Sequence, residues 1–210
     1  MIKNIIFDFD GVILDSVPVK TEAFRKLFSE YNKELVDRFV EYHLKNGGVS
    51  RYDKIRYFFN SLLKKSISNE EIVSLANKYS LLTKEKLSDP KYLIYDTLRF
   101  IEKNYKRYNM HIASGADEGD LKYICQKLEI NNYFKTIEGS PRKKDNIIRG
   151  ILNRHNYRVD ETILIGDSIN DFEAARANNI RFCGFGNIAL KKYTKCYINS
   201  FEEFYQILLL

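Results

Sequence analysis

Histidine, cysteine and tryptophan are scarce in this chain of 210 residues, which has three histidines, three cysteines and no tryptophan. The cysteines, Cys125, Cys183 and Cys196, are odd in number and include no Cys-x-x-Cys pair. The sequence therefore indicates neither a disulfide framework nor a cysteine-based zinc site. The histidines are far apart along the chain, which argues against a histidine-based zinc centre.

Long apolar segments are also absent. No apolar run reaches the roughly 18 residues that a membrane helix needs. The N-terminus enters a strand pattern almost at once, without the charged segment, apolar core and cleavage site of a signal peptide. We therefore expect a cytoplasmic protein with no membrane partner.

Blocks of like charge are missing as well. The chain has 34 Lys and Arg against 28 Asp and Glu, a net charge of +6, but the basic residues are scattered and their richest cluster is Arg142–Lys144. A diffuse excess of this kind is typical of a solvated surface that attracts anionic metabolites. We expect no nucleic-acid partner. We also expect the protein to be a monomer or a weak dimer.

What the chain does have is a first strand that ends in carboxylates. Residues 2–9 contain the apolar run Ile5 to Phe7, typical of a strand buried on both faces. Asp8 and Asp10 follow two positions apart and share a face, because side chains alternate along a strand. Two crowded carboxylates repel each other, and a divalent cation or a shared proton would relieve that repulsion. Gly11 then lets the backbone turn or approach a ligand closely.

The pattern of the remaining chain predicts the fold. Helical spacing dominates residues 16–88, with predicted helices beginning at Pro18 and covering about 34–45, 51–64 and 68–87. From residue 92 onward, helices alternate with predicted strands near 108–113, 133–137, 162–165, 180–185 and 196–198. We predict an α/β protein: a doubly wound, Rossmann-like parallel sheet core, residues 1–15 and 89–210, with an inserted all-helical cap domain, residues 16–88.

Polar residues fall at or near the carboxyl ends of several predicted strands, and in such a sheet these ends line one crevice. They are Asp8 and Asp10, Ser114-Gly115, Arg142–Lys144 and Gly166–Asp171. Carboxylates at 8, 10, 167 and 171 offer hard oxygens, which suit Mg²⁺. The Ser114 hydroxyl and the amides of Gly115 and Ala116, which we expect to open a helix, would form an anion seat.

Together these groups predict a phosphoryl-transfer site. One carboxylate can attack phosphorus and form an aspartyl phosphate. The other can protonate the leaving oxygen and then activate water. The metal and a lysine would stabilise the charge on the transferring phosphoryl group.

The motifs resemble those of the haloacid dehalogenase-like hydrolase superfamily. Asp-x-Asp-Gly-Val at 8–12, the strand-terminal Ser114 and Gly-Asp-Ser-x-x-Asp at 166–171 occur in the family's order. The resemblance is to the branch with a helical cap, which includes phosphoglycolate phosphatase-like and β-phosphoglucomutase-like enzymes, and it covers essentially the whole chain.

The resemblance implies a role for each motif residue. Asp8 would be the nucleophile and Asp10 the general acid/base. Mg²⁺ would be held by Asp8, the backbone carbonyl of Asp10 and Asp167. Asp171 would support this set or add a ligand. Ser114, Gly115 and a lysine would bind phosphate, and the lysine three positions after Pro141 is Lys144, with Lys143 as the alternative.

The family contains several chemistries, and Asp10 helps to separate them. Dehalogenases lack this second aspartate and phosphonatases replace it, so its presence favours a phosphate ester. We therefore expect a bacterial Mg²⁺-dependent phosphatase of a small phosphorylated metabolite. A sugar phosphomutase is the alternative, although the cap-side histidine of that family aligns with Lys20. A non-catalytic binding protein of the same fold is the rival from another class.

Specificity must come from the cap. Gly47-Gly48 forms a turn between the second and third cap helices, and Arg51 and Lys54 follow it, three positions apart and so on one helix face. We expect them to hold an oxygen-rich leaving group above the core. The alternative is a plain interhelical turn whose charges are solvated.

Overall fold

The computed structural model describes residues 1–208 of the chain. Six parallel strands form one sheet in the order β3-β2-β1-β4-β5-β6. The strands are β1 (Asn4–Phe7), β2 (Asn109–Asp117), β3 (Thr136–Ser140), β4 (Thr162–Gly166), β5 (Arg181–Phe185) and β6 (Tyr197–Ile198). The chain winds outward from β1 in both directions, so the strand order reverses beside β1. Ligands of open α/β sheets bind at the carboxyl ends of the strands at such a point.

Nine α-helices lie within residues 1–208. They are α1 (Val17–Leu27), α2 (Lys33–Lys45), α3 (Arg51–Tyr57), α4 (Asn69–Leu87), α5 (Tyr95–Asn104), α6 (Glu118–Lys127), α7 (Lys144–His155), α8 (Ile169–Ala177) and α9 (Phe201–Leu208). A π-helix, Phe58–Leu63, continues α3. No helix in this described range is long and apolar enough to cross a membrane.

Helices cover both faces of the sheet. Ile5 and Phe7 of β1 belong to a core cluster with apolar residues of α5, α6 and α9, whereas Ile6 belongs to a second cluster with α7 and α8. Successive strand residues point to opposite faces, so one buried strand supplies both cores. The predicted doubly wound α/β sheet is confirmed.

Helices α1 to α4 all lie between β1 and α5, and we call residues 17–87 the helical insert. The insert has a third hydrophobic cluster of its own, rich in aromatic rings. Phe28 stacks on Phe58 with ring centroids 3.8 Å apart and meets the edge of Phe39 at 5.0 Å. As the sequence predicts, Pro18 lies in the first turn of α1, and Ser68 begins α4 with a capping box.

The sequence prediction was wrong at the end of β2. This strand continues to Asp117 instead of stopping near Ala113, and its pairing with β3 shifts register in between. The Asp117 side chain accepts hydrogen bonds from the amides of residues 119 and 120, which fixes the start of α6 at Glu118. Gly115 and Ala116 therefore do not open a helix. Strand β3 likewise begins at Thr136 and not at Tyr133, which lies in a short 3₁₀ turn.

The cysteine count and spacing indicate no disulfide framework, yet the structure contains one disulfide. Cys183 and Cys196 form a disulfide, while Cys125 is free and buried. The bond joins β5 to the residue before β6, where the amide of Gly184 donates to the carbonyl of Cys196 at 2.9 Å. Parallel strand pairing brings together two cysteines that are 13 positions apart, which their sequence spacing does not reveal.

Candidate active site

The site begins where β1 and β4 end side by side. The amide of Asp8 donates to the carbonyl of Ile165 at 2.9 Å, which fixes Asp8 next to the loop that carries Asp167. Gly11 has φ +75°, and a Cβ placed on it would lie 2.1 Å from Asp167 Oδ2. Glycine at position 11 is therefore needed both for the turn and for the approach of Asp167.

Three carboxylates form a tight cluster at this point. One oxygen each from Asp8, Asp167 and Asp171 lies within 4.8 Å of the others. Burial raises the pKa of Asp8 to about 7, and the Asp171 charge adds to this while Lys144 opposes it. Burial and the charges of Asp8 and Asp171 raise the pKa of Asp167 well above its usual range. Crowded hard oxygens whose charge is this poorly compensated fit a divalent cation such as Mg²⁺.

Lys144 is the cation that the structure brings to this cluster. Its Nζ lies 2.9 Å from Asp8 Oδ1 and donates a hydrogen bond to Asp171 Oδ1. Burial alone would lower the pKa of Lys144, but the two carboxylates outweigh burial and raise it. Lys143, the sequence alternative, is exposed at the N-cap of α7. The geometry therefore favours Lys144 over Lys143 as the lysine of the site.

Asp171 is engaged on both oxygens. Oδ1 accepts from Lys144, and Oδ2 accepts from the amide of Ser168 at 3.0 Å and from its hydroxyl at 2.6 Å. These bonds start α8 as a capping box. Because one oxygen binds Lys144 and the other caps α8, Asp171 is placed to orient Lys144 and the loop that carries Asp167.

The side chain of Asp10 turns away from the acidic cluster. Ser16 Oγ donates to Asp10 Oδ1 at 2.5 Å, and Lys20 Nζ lies 2.5 Å from Asp10 Oδ2. Burial would raise the pKa of Asp10, but Lys20 and then Ser16 outweigh burial and lower it. The carboxylate of Asp10 faces the helical insert, so only its backbone carbonyl remains for the metal role that the resemblance implies.

Ser114 is fully buried near the end of β2, where its Oγ accepts a hydrogen bond from the amide of Ala116 at 3.1 Å. The expected anion seat at a helix N-terminus is absent here, because the strand continues through these residues. The next residue meets the insert: a Cβ on Gly115 would lie 2.3 Å from the carbonyl oxygen of Gly48. The Gly47-Gly48 turn therefore rests directly on the end of β2.

A cavity of about 350 Å³ lies between the sheet end and the insert. The core contributes Asp10, Asp167, Ser168 and Gly115, among others, and the insert contributes Lys20, Phe24, His43, Arg51, Lys54 and Tyr79. The predicted acid/base carboxylate and both predicted specificity residues thus line one space.

Neither of the two predicted specificity residues is a solvated charge. Arg51 is 7% exposed, and its Nη1 donates to Asp120 Oδ2 at 2.7 Å and to Ser80 Oγ at 2.5 Å. Lys54 is 3% exposed, and its Nζ lies 2.9 Å from His43 Nδ1. The alternative, a plain interhelical turn with solvated charges, is therefore wrong, because both side chains are buried and hydrogen-bonded.

Sequence reasoning missed two residues of this region, His43 and Asp120. His43 follows the apolar spacing of α2, and Asp120 lies in the first turn of α6, where an acidic residue is common. Neither position carries a local motif, so only the packing of α2, α3 and α6 reveals them.

The geometry agrees with comparisons to known proteins. The family model described as haloacid dehalogenase-like hydrolase matches residues 5–185, and the chain belongs to this family. A phosphorylated carbohydrates phosphatase of Thermotoga maritima is 22% identical over 184 residues, covering 85% of this chain and 82% of that relative. The resemblance indicated by the motifs is confirmed, as is the predicted class of enzyme.

Solved structures show the same fold. A predicted phosphatase from Clostridium acetobutylicum has a TM-score of 0.79 at 20% identity, and the match covers 100% of this chain and 99% of that protein's chain. A β-phosphoglucomutase from Clostridium difficile has a TM-score of 0.75 at 20% identity, with full coverage of both chains.

Proposed function

We propose that the protein is a Mg²⁺-dependent phosphatase that hydrolyses a phosphate monoester of a small metabolite through an aspartyl phosphate. The observation that carries this proposal is the tight group formed by Asp8, Asp167 and Lys144, of which Asp167 lines the same cavity as Asp10. The family match and relatives named as phosphatases support it.

Asp8 is suited to nucleophilic attack. Lys144 Nζ and the amide of Phe9, at 2.7 Å, both bind Asp8 Oδ1. The carboxylate is thereby held in one orientation, and Oδ2 remains for the phosphorus. Lys144 also places a fixed positive charge where negative charge builds up on the transferring phosphoryl group.

Asp10 is suited to the proton transfers. Ser16 and Lys20 each hold one of its oxygens, so its orientation is fixed before substrate binds. In the first step, Asp10 gives a proton to the leaving oxygen; in the second, it takes one from the water that attacks the aspartyl phosphate. The ion pair with Lys20 favours the charged carboxylate, which is the form that the second step needs.

Asp8, Asp167 and the backbone carbonyl of Asp10 would hold the Mg²⁺. The ion would neutralise charge on the phosphoryl oxygens and on the crowded carboxylates. The residues fit it because they supply only hard oxygens, and burial together with the neighbouring carboxylate charges raises the pKa values of Asp8 and Asp167.

We further propose that residues 16–88 act as the cap over a core of residues 1–15 and 89–210. Residues of the insert line one side of the 350 Å³ cavity, so as a cap it would exclude water and contact the leaving group. Of the two predicted specificity residues, Lys54 is proposed to set the preference for that group, because Asp120 already neutralises Arg51. The cytoplasmic location and the monomeric or weakly dimeric state stay predictions.

The phosphomutase alternative is not favoured, because the insert presents a lysine at position 20 and pairs it with Asp10. Release of phosphate from p-nitrophenyl phosphate, with and without Mg²⁺, tests the proposal. We expect metal-dependent release. An inactive protein across a panel of phosphate monoesters, or retention of the phosphoryl group on a sugar bisphosphate product, would contradict it.

A further inference from the structure

Lys54 differs from two other cations that border the cavity. Lys20 pairs with Asp10 and Arg51 pairs with Asp120, each in an ion pair of 2.7 Å or less. Lys54 is more deeply buried than either, at 3% exposure, yet it forms no ion pair with any carboxylate within residues 1–208. Its hydrogen-bond partner is the imidazole of His43, at 2.9 Å.

The contact with Lys54 fixes the state of His43. An ammonium group can only donate, so His43 Nδ1 accepts and the proton of the neutral ring lies on Nε2. Burial, with the charge of Lys54 added to it, lowers the pKa of His43 to about 3, which keeps the ring neutral. Nε2 is buried and has no hydrogen-bond partner among the residues that the structure describes. The pair therefore combines an ammonium group with an unused N–H donor, and both residues line the cavity.

An uncompensated buried charge is costly. Burial, helped by the nearby charge of Lys20, lowers the pKa of Lys54 to about 7. An anion placed in the cavity would compensate the ammonium group and could accept from an N–H donor. Arg51 competes poorly for that anion, because Asp120 already neutralises it and Tyr79 lies against its guanidinium at 5.0 Å.

We propose that Lys54 and His43 form the subsite for an anionic group, a carboxylate or a second phosphate, on the leaving-group part of the substrate. Arg51 instead fixes α3 of the insert to α6 of the core through Asp120. This proposal rests on the proposed phosphatase function, since it assigns a part of the lining of the cavity that Asp10 and Asp167 also border.

Matched pairs of phosphate monoesters test the subsite. Phosphoglycolate against ethyl phosphate isolates a carboxylate, and fructose 1,6-bisphosphate against fructose 6-phosphate isolates a second phosphate. We expect the wild type to prefer the anion-bearing member of at least one pair, and the preferred pair identifies the anion. Lys54→Met should lower kcat/KM for that member by at least about 30-fold, as truncation of one partner of a buried charge pair does. It should change kcat/KM for ethyl phosphate and p-nitrophenyl phosphate by less than about threefold.

Two further variants separate recognition from folding. Lys78→Met removes an exposed lysine of α4 in the same insert and should leave kcat/KM for all five compounds unchanged. Lys54→Arg keeps the charge and should restore part of the preference. Thermal unfolding of each variant checks that the fold persists, and if Lys54→Met does not fold, Lys54→Gln is measured in its place.

A binding measurement keeps this test independent of turnover. Calorimetric titration of phosphoglycolate and fructose 1,6-bisphosphate into Asp8→Asn, with and without Lys54→Met, should show the same loss of affinity. Equal loss on the members with and without the additional anion, or a wild type that prefers neither anion, would overturn the subsite. A wild type that releases phosphate from none of the compounds, p-nitrophenyl phosphate included, would instead overturn the phosphatase function.

Discussion

Lys20 Nζ lies 2.5 Å from Asp10 Oδ2, so the first helix of the insert supplies the counter-ion of the proposed acid/base. Ser16, at the N-cap of the same helix, holds the other oxygen of Asp10. The orientation of this carboxylate therefore depends on where α1 lies. The proposed proton transfer and the position of the insert relative to the sheet are coupled through one helix.

Replacing the proposed nucleophile should stop turnover. Asp8→Asn removes the attacking oxygen and one proposed metal ligand, while Lys144 keeps its contact with Asp171. We expect loss of phosphate release with an unchanged circular dichroism spectrum and a similar melting temperature. Substantial activity in the folded variant would show that another group attacks the phosphorus.

The acid/base assignment predicts dependence on the leaving group. Asp10→Asn should lower kcat/KM for an alkyl phosphate by about 10²–10⁴-fold, the usual contribution of proton transfer. The loss should be smaller for p-nitrophenyl phosphate, whose leaving oxygen needs no proton. Equal losses on both substrates would argue that Asp10 serves the structure and not the proton transfer.

Metal removal should abolish activity reversibly. Chelation with EDTA should stop phosphate release, and Mg²⁺ should restore it far better than Ca²⁺, because Ca²⁺ takes more ligands at longer distances. The rates are compared at matched ionic strength. Undiminished activity after chelation and desalting would contradict the role given to Asp8 and Asp167.

The lowered pKa of Lys54 predicts that the difference in free energy of unfolding between the wild type and Lys54→Met depends on pH. Its pKa is about 7 in the folded chain and has a usual value of 10.5. Between these values the unfolded chain binds more protons, so the contribution of Lys54 to the free energy of unfolding rises with pH. Lys54→Met should be more stable than the wild type at pH 7 by a few kcal/mol, and the gap should close toward pH 10.5.

Denaturant unfolding of both proteins at several pH values measures this difference. His43, Lys20, Asp10 and Asp167 also influence this lysine, but they are present in both proteins. A gap that stays constant across the range would show that Lys54 is not a desolvated ammonium group.

Arg51 and Asp120 should behave as a coupled pair across the boundary between insert and core. Arg51→Met leaves a largely buried carboxylate without its cation, which typically costs about 3–5 kcal/mol. Adding Asp120→Asn should recover part of that loss. Additive effects in this double-mutant cycle would show that the contact contributes little.

The sequence predicts those parts of the site that rest on local patterns. Asp8, Asp10 and Asp167 follow strands whose apolar runs are plain, and sheet topology brings strand ends together. Asp120 and His43 could not be predicted, because each acts through a residue of a different helix and neither lies in a recognisable motif. The register shift in β2 was equally hidden, since the capping bonds of Asp117 outweigh the turn tendency of Ser114-Gly115.

The helical insert meets β2 where the carbonyl of Gly48 lies against Gly115, and this contact requires that residue 115 has no side chain. A single methyl group at position 115 would lie 2.3 Å from the Gly48 carbonyl oxygen, far inside contact distance. Gly115→Ala would therefore force the Gly47-Gly48 turn away from β2 and allow water to enter beside Ser114. How closely the helical insert can approach the sheet beside Ser114 is thus set by a position that carries no side chain.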